Sequence, residues 1–169
     1  MTHEGYVGRL KREIRDLCEK RGAVILAHNY QSPEVQDVDD YIGDSLELAR
    51  KAVNVDADVI VFAGVSFMAE MVSVLNEDKT VLHPVREARC PLADFLDVRT
   101  MKKFREKNPD APFVIYVNSY AKAKAYADYI VTSASALNLI SKLDADTILF
   151  GPDKNLASYV ARKTNKKII

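Results

Sequence analysis

The chain has 169 residues, enough for one ordinary domain or two small ones, and its hydrophobic fraction of 48% suits a globular core. Lys plus Arg and Asp plus Glu balance at 24 each, leaving no basic stripe to grip a phosphate backbone and no acidic tail, so nucleic acid is not an expected partner. No stretch is apolar for long enough to span a bilayer, and two cysteines, Cys18 and Cys90, are too few for a disulfide framework.

The opening segment "MTHEGYVGRLKREIRDLCEK" is charged throughout, reads as a helix and lacks the apolar core of a signal peptide, so a cytoplasmic location with reduced thiols is expected. Strand patterns follow at "AVILAH" (23 to 28), "DVIVFAG" (58 to 64), "TVLHP" (80 to 84), "FVIYVN" (113 to 118), "TILFG" (147 to 151) and "KKII" (166 to 169). Between them lie the helical patterns "SLELARKAVN", "FMAEMVSVLN", "SALNLISKL" and "NLASYVARKT". Continuous apolar strands separated by amphipathic helices predict an α/β fold whose parallel sheets are covered on both faces.

The chain also repeats itself. "DYIGDSLELARKAVNVDAD" (40 to 58) lies on "DYIVTSASALNLISKLDAD" (128 to 146) without a gap, an 88-residue shift. Upstream, "VILAHNY" (24 to 30) aligns with "VIYVNSY" (114 to 120) in a register two residues different, and downstream "DADVIVFAG" matches "DADTILFGP". Two copies of one small three-layer αβα domain are therefore predicted, residues 1–85 and 86–169, with the boundary between Pro84 and Asp94. The same shift carries Lys79, Thr80 and Val81 onto Lys167, Ile168 and Ile169. The expectation is a piece cut before a third unit, a naturally short protein being the alternative.

In parallel α/β sheets ligands gather beyond the carboxyl ends of the strands. His28, Asn29 and Tyr30 close one such strand, and Tyr116 and Asn118 close its counterpart. An imidazole donates or carries protons near neutral pH, and a phenol donates to a developing oxyanion or, once activated, takes a proton. For either residue alone, packing or strand-end capping is an equally good reading. Ser45 and Ser133 stand at matching repeat positions where a loop enters a helix, so each is expected to be an N-cap beside outward-facing amides, the geometry of an anion site. Capping alone is the commoner role of such a serine. Cys90 follows a strand between basic neighbours, Arg86 and Arg89, which favour a thiolate if close; a buried inert thiol is the plainer reading, and the only one for Cys18. Asp37, Asp39 and Asp40 read as a solvated turn or helix start rather than a Mg²⁺ site at a strand end.

Together these stretches make the chain resemble the quinolinate synthase family, iron–sulfur enzymes of de novo NAD biosynthesis. The resemblance runs from about residue 20 to the last residue, through "ILAHNYQSPEVQD", "IGDSLELA", "VFAGVSFMAE", "YVNSYAKAKAYAD", "VTSASA" and "FGPDKNLASYVA". It implies three similar α/β units around a pseudo-threefold axis, two of them present here, each supplying one cysteine to a [4Fe–4S] cluster; Cys90 matches the first of these ligands. It implies condensation of iminoaspartate (iminosuccinate) with dihydroxyacetone phosphate, releasing phosphate and water to form quinolinate, with one iron open to act as a Lewis acid. By the same resemblance His28 and Ser45 match substrate-binding residues of the first unit, and Tyr116, Val117, Asn118 and Ser133 match those of the second, which hold the carboxylates of iminoaspartate. Tyr30 matches a tyrosine implicated in proton transfer and in handling the triose, so Tyr30 and His28 are the candidate catalytic residues.

Family members often carry Cys at Ala63, His or Asp at Ser66, Gly at Arg89 and Asn at Ser135. The resemblance further implies that this chain, without a C-terminal segment or a separate subunit, neither holds the cluster stably nor turns over. The competing expectation is a non-catalytic α/β module that binds an anion and lacks the cluster.

Overall fold

The computed structural model describes residues 3–169 and divides into two units, Met1–Arg89 and Cys90–Ile169. In the first unit, helix α1 (His3–Arg21) has Lys20 and Arg21 in its last turn, where the helix dipole favours cations. It stops at Gly22, whose φ of +56° is a left-handed conformation that glycine adopts without strain, and the chain turns into strand β1 (Ala23–His28). A single helical turn, α2 (Pro33–Gln36), leads to the short strand β2 (Tyr41–Gly43). Then come α3 (Ser45–Val53), β3 (Val59–Ala63), α4 (Ser66–Leu75) and β4 (Thr80–Leu82). The four strands are parallel in the order β2-β1-β3-β4.

The second unit repeats this plan. Helices α5 (Pro91–Asp94) and α6 (Val98–Lys107) precede β5 (Phe113–Tyr116), α7 (Ala121–Lys124), β6 (Tyr129–Val131), α8 (Ala136–Lys142), β7 (Thr147–Gly151), α9 (Lys154–Lys163) and β8 (Lys167–Ile168). The sheet is again all-parallel, in the order β6-β5-β7-β8. Side chains alternate across it. Phe113, Ile115 and Leu149 pack with Met101, Leu96 and Ala123 on one face, while Val114, Ile148 and Phe150 pack with Ala136, Ile140 and Val160 on the other. In the first unit Ile25 packs with Cys18 of α1 and with Val38, and its neighbour Leu26 is buried on the opposite side, where α3 lies against β1 and α4. Both units are thus parallel αβα layers, the fold class expected from the strand and helix pattern.

Three details differ from the sequence reading. The "DYI" stretches begin edge strands, β2 and β6, whose three-residue length and exposed Tyr–Ile pairs give no strand periodicity. Sheet register also removes the two-residue offset expected between the first strands: Leu26 lies opposite Tyr41 and Val114 opposite Tyr129, so His28 corresponds to Tyr116 and Tyr30 to Asn118. Finally, Lys79 donates to Ala52 O and Val55 O as Lys166, not Lys167, donates to Leu143 O and Ala145 O, so the loop before the last strand is one residue shorter in the second unit.

One polar device recurs in both units. Asp40 donates its N–H to Ile25 O, accepts the Ile25 N–H on its carboxylate at 2.8 Å and pairs with Arg15 of α1 at 2.9 Å; Arg15 also donates to Val38 O. Asp128 treats Phe113 in the same way and pairs with Arg105 of α6 at 2.6 Å, while Arg105 also donates to Ala111 O. Asp40 therefore belongs to a structural clamp and not to the solvated turn expected from its neighbours. Burial pushes both carboxyls upward, but the hydrogen bonds from the arginines and strand amides outweigh it and both pKa values fall below the ordinary 3.8.

Asp40→Ala strands an amide and a guanidinium and is expected to lower the free energy of unfolding by about 1–3 kcal/mol, read from urea titration. Because these carboxyls titrate lower in the folded state, their contribution is complete above the ordinary value of 3.8 and is lost as pH falls through the folded values. Circular dichroism through that acid range should show stability declining, and a double Asp40→Asn, Asp128→Asn variant should decline less steeply. An identical acid limb in the variant counts against the clamp.

Candidate functional site

In the first unit β1 and β3 are the central strands, with β2 on one side and β4 on the other, so the winding direction reverses between them. Ligands of open α/β sheets bind outside the carboxyl ends at such a point. His28 is the last residue of β1, and Gly64 follows β3. A methyl group on Gly64 would stand 2.6 Å from Cε1 of the buried Phe62 in the same strand and 3.4 Å from His28 Cβ, so the two strand ends are in ordinary van der Waals reach. His83, just beyond β4, donates from Nε2 to Gly64 O at 2.9 Å and joins the same edge. The sequence reading passed over His83 and Gly64, although His83 closes an apolar strand just as His28 does.

His28 is half-buried, and burial lowers its pKa from 6.5, with the Asp44 carboxylate pulling the other way. Its Nδ1 accepts the Tyr30 N–H at 3.3 Å. The two rings meet edge to face with centroids 4.6 Å apart, and Tyr30 is 87% exposed.

The serines are not caps. Asp44 is the N-cap of α3, its Oδ1 accepting from Leu46 N at 2.9 Å and Glu47 N at 2.8 Å, and Ser45 is the first helical residue. The carboxylate thus occupies the amides that an anion was expected to meet and supplies the negative charge that the dipole favours. The signal was present in "DSLE", an Asp three residues before a Glu. In the second unit Ser135 takes the N-cap position of α8, and Thr132 and Ser135 bond reciprocally: the Thr132 N–H donates to Ser135 Oγ at 2.9 Å and the Ser135 N–H to Thr132 Oγ1 at 3.3 Å. Ser133 lies in the turn between them. Among the described residues the Ser45 and Ser133 hydroxyls make no hydrogen bond, so neither is spent on the fold.

In the second unit Tyr116 ends β5, half-buried and packed against the α8 and α9 core. Val117 is 6% exposed; its N–H donates to Val131 O and its carbonyl accepts from Ser119 N, which leaves it no free donor. Asn118 is half-buried, with Nδ2 4.0 Å from Cys90 Sγ. Cys90 precedes α5 and is half-exposed, unlike the inert thiol expected of a lone cysteine, whereas Cys18 is 6% exposed among apolar neighbours and its pKa is raised by burial. The site residues thus gather within each unit: His28 and Tyr30 in the first, with Ser45 one residue past the Asp44 that acts on His28, and Asn118 with Cys90 in the second.

Of the family-pattern departures, Ser135 serves the turn before α8, and Ser66 donates its N–H to Ala88 O at 2.8 Å. Among the described residues no group of three or more His, Cys, Asp or Glu is placed to hold a metal ion, and no helix is long and apolar enough to cross a membrane.

The family model described as quinolinate synthetase A protein matches residues 12–169. The quinolinate synthase of Pyrococcus abyssi is 64% identical over 157 residues, covering 93% of this chain and 52% of that protein. That of Thermococcus onnurineus is 62% identical over 160 residues, covering 95% and 53%, and that of Thermotoga maritima is 53% identical over 157 residues, covering 93% and 53%. The chain spans about half the length of the curated relatives it matches.

Asp44→Ala is expected to cost about 1 kcal/mol of stability in urea titration, and Ser45→Ala less than about 0.5 kcal/mol. Equal losses would return the cap to the serine. Gly64→Ala should force the Phe62 ring to move inside a packed core and cost about 1–3 kcal/mol; a neutral substitution would show that the ring has room to shift.

Proposed function

The chain belongs to the quinolinate synthetase A family, and on that premise we propose that it is part of a quinolinate synthase, an enzyme that condenses iminoaspartate with dihydroxyacetone phosphate. The observation that carries this reading beyond family membership is the pairing of Cys90 Sγ with Asn118 Nδ2 at the carboxyl edge of the second sheet. A half-exposed thiol beside an amide donor suits a metal-bound thiolate, whose sulfur accepts N–H groups.

The donor set fits a [4Fe–4S] cluster in part. Cys90 would hold one iron; Cys18, sealed in the core of the first unit, is no candidate, so the remaining ligands come from residues other than this chain's cysteines. When bound, such a cluster supplies Lewis acidity through an iron with an open position. The side chains of this chain do the rest. His28, Ser45, Asn118 and Ser133 offer donors suited to carboxylate, phosphate and carbonyl oxygens. Tyr116 and Val117 set the height of the strand end from which Asn118 projects. The Tyr30 phenol, exposed and resting against His28, would give or take a proton from a ligand at that edge. This chain alone is proposed to be inactive.

The test uses the full-length protein, expressed and assayed without oxygen with iminoaspartate and dihydroxyacetone phosphate. Quinolinate formation together with iron–sulfur absorbance supports the reading, and a full-length protein that binds no iron overturns it. Cys90→Ser should abolish the absorbance. Tyr30→Phe should lower kcat about tenfold or more and leave iron content unchanged; full turnover would remove the phenol from the mechanism.

A further inference from the structure

We infer that His28 meets its ligand as a neutral imidazole that donates from Nε2, because the main-chain N–H of Tyr30 claims Nδ1 as an acceptor. The ring is therefore a hydrogen-bond donor in its resting state and not a proton acceptor. A neutral imidazole has one N–H and one bare nitrogen, and the partner of one nitrogen decides the state of the other. The Tyr30 N–H points at His28 Nδ1 from 3.3 Å. A backbone amide can only donate, so Nδ1 must present its lone pair and the ring proton must reside on Nε2. Protonating Nδ1 would set two N–H groups against each other and lose that bond.

The surroundings agree with this assignment. The residue is half-buried, its ring edged by Tyr30 and its Cβ 3.4 Å from where a Gly64 methyl would stand. Burial holds its pKa below 6.5 against the pull of Asp44, the N-cap of α3, which favours the cation. The Tyr30 main chain is thus a positioning group. It fixes the tautomer through an atom that no side-chain substitution at residue 30 other than proline removes. The chemical class that such a site reads is an oxygen with a free lone pair: a carboxylate, a phosphate or a carbonyl. A ligand that must itself donate to His28 is disfavoured.

This inference rests on the proposed function only for the identity of the ligand, and its first test needs none. The substrate-free chain, labelled with ¹⁵N in histidine, is examined near neutral pH by long-range proton–nitrogen correlation, with the His28 signals assigned by their loss in His28→Gln. The expected pattern has a protonated Nε2 and a bare Nδ1. A protonated Nδ1, or an imidazolium at neutral pH, overturns the inference. The second test takes the full-length enzyme and compares His28→Gln, which keeps an amide N–H near the place of Nε2, with His28→Asn, which offers one near Nδ1. KM for the substrate that His28 meets should rise at least about tenfold more in His28→Asn than in His28→Gln; the reverse order overturns the donor role. An Nε2–H spectrum from a protein that makes no quinolinate would sink the enzyme reading and leave the tautomer standing. Active enzyme with an Nδ1–H spectrum would do the opposite.

Discussion

The arrangement of each unit depends on an aspartate that holds the first strand by both ends of one peptide residue. β2 and β6 are three residues long, with an exposed Tyr and Ile followed by a single buried position. So short a hydrophobic pattern sets register weakly, and a one-residue slip would reverse every side chain. Asp40 and Asp128 supply the missing constraint, binding N–H and C=O of Ile25 and Phe113 while an arginine from the preceding helix closes the corner. With that residue fixed, Leu26 must face Tyr41 and His28 must face Gly43, and the chain enters α3 directly beyond the end of β1. The clamp grips β1 at Ile25 and β5 at Phe113, each three residues before the strand's last residue, yet it decides which residues arrive there.

The two units therefore share a frame and differ in what they mount on it. His28 and Tyr116 occupy one sheet position, as do Tyr30 and Asn118, and Asp44 and Thr132 are equivalent corners before α3 and α8. A carboxylate at one corner and a hydroxyl pair at the other solve the same problem of unpaired helix amides with different charge. The first edge thereby acquires an imidazole, a phenol and a negative charge, and the second an amide and a thiol. Neither set repeats the other.

Much of this was legible in the residues. Continuous apolar runs gave the parallel strands, and the "DYI" and "DAD" repeats gave two copies, because both sequences are tied to backbone roles that every copy needs. The edge strands were not legible, since their length leaves no periodicity, and the first-strand offset misled because "HNY" and "NSY" look alike while hydrogen bonding pairs other residues. His28 and Tyr30 could be placed at a strand end from the change of polarity alone. The capping role was assigned one residue too late in one unit and to the wrong member of a Thr–Ser–Ala–Ser turn in the other, because Asp, Ser and Thr are nearly equal as caps and only the geometry separates them.

That separation bears on what the remaining polar groups are for. Asp40, Asp44, Asp128, Thr132 and Ser135 are hydrogen-bonded to the backbone and helix ends around them, so each has a role in the fold. The Ser45 and Ser133 hydroxyls stand beside these groups with no such bonds among the described residues, and the Tyr30 phenol lies almost wholly in solvent. A side chain that contributes neither burial nor a hydrogen bond to the folded state is not explained by stability. Here two such groups, the Ser133 hydroxyl and the Tyr30 phenol, lie past the strand ends where parallel sheets receive ligands, and the phenol rests against His28. The polar end of the first apolar strand is the proposed working face of the unit, supported by a separate set of residues whose task is to keep it in register.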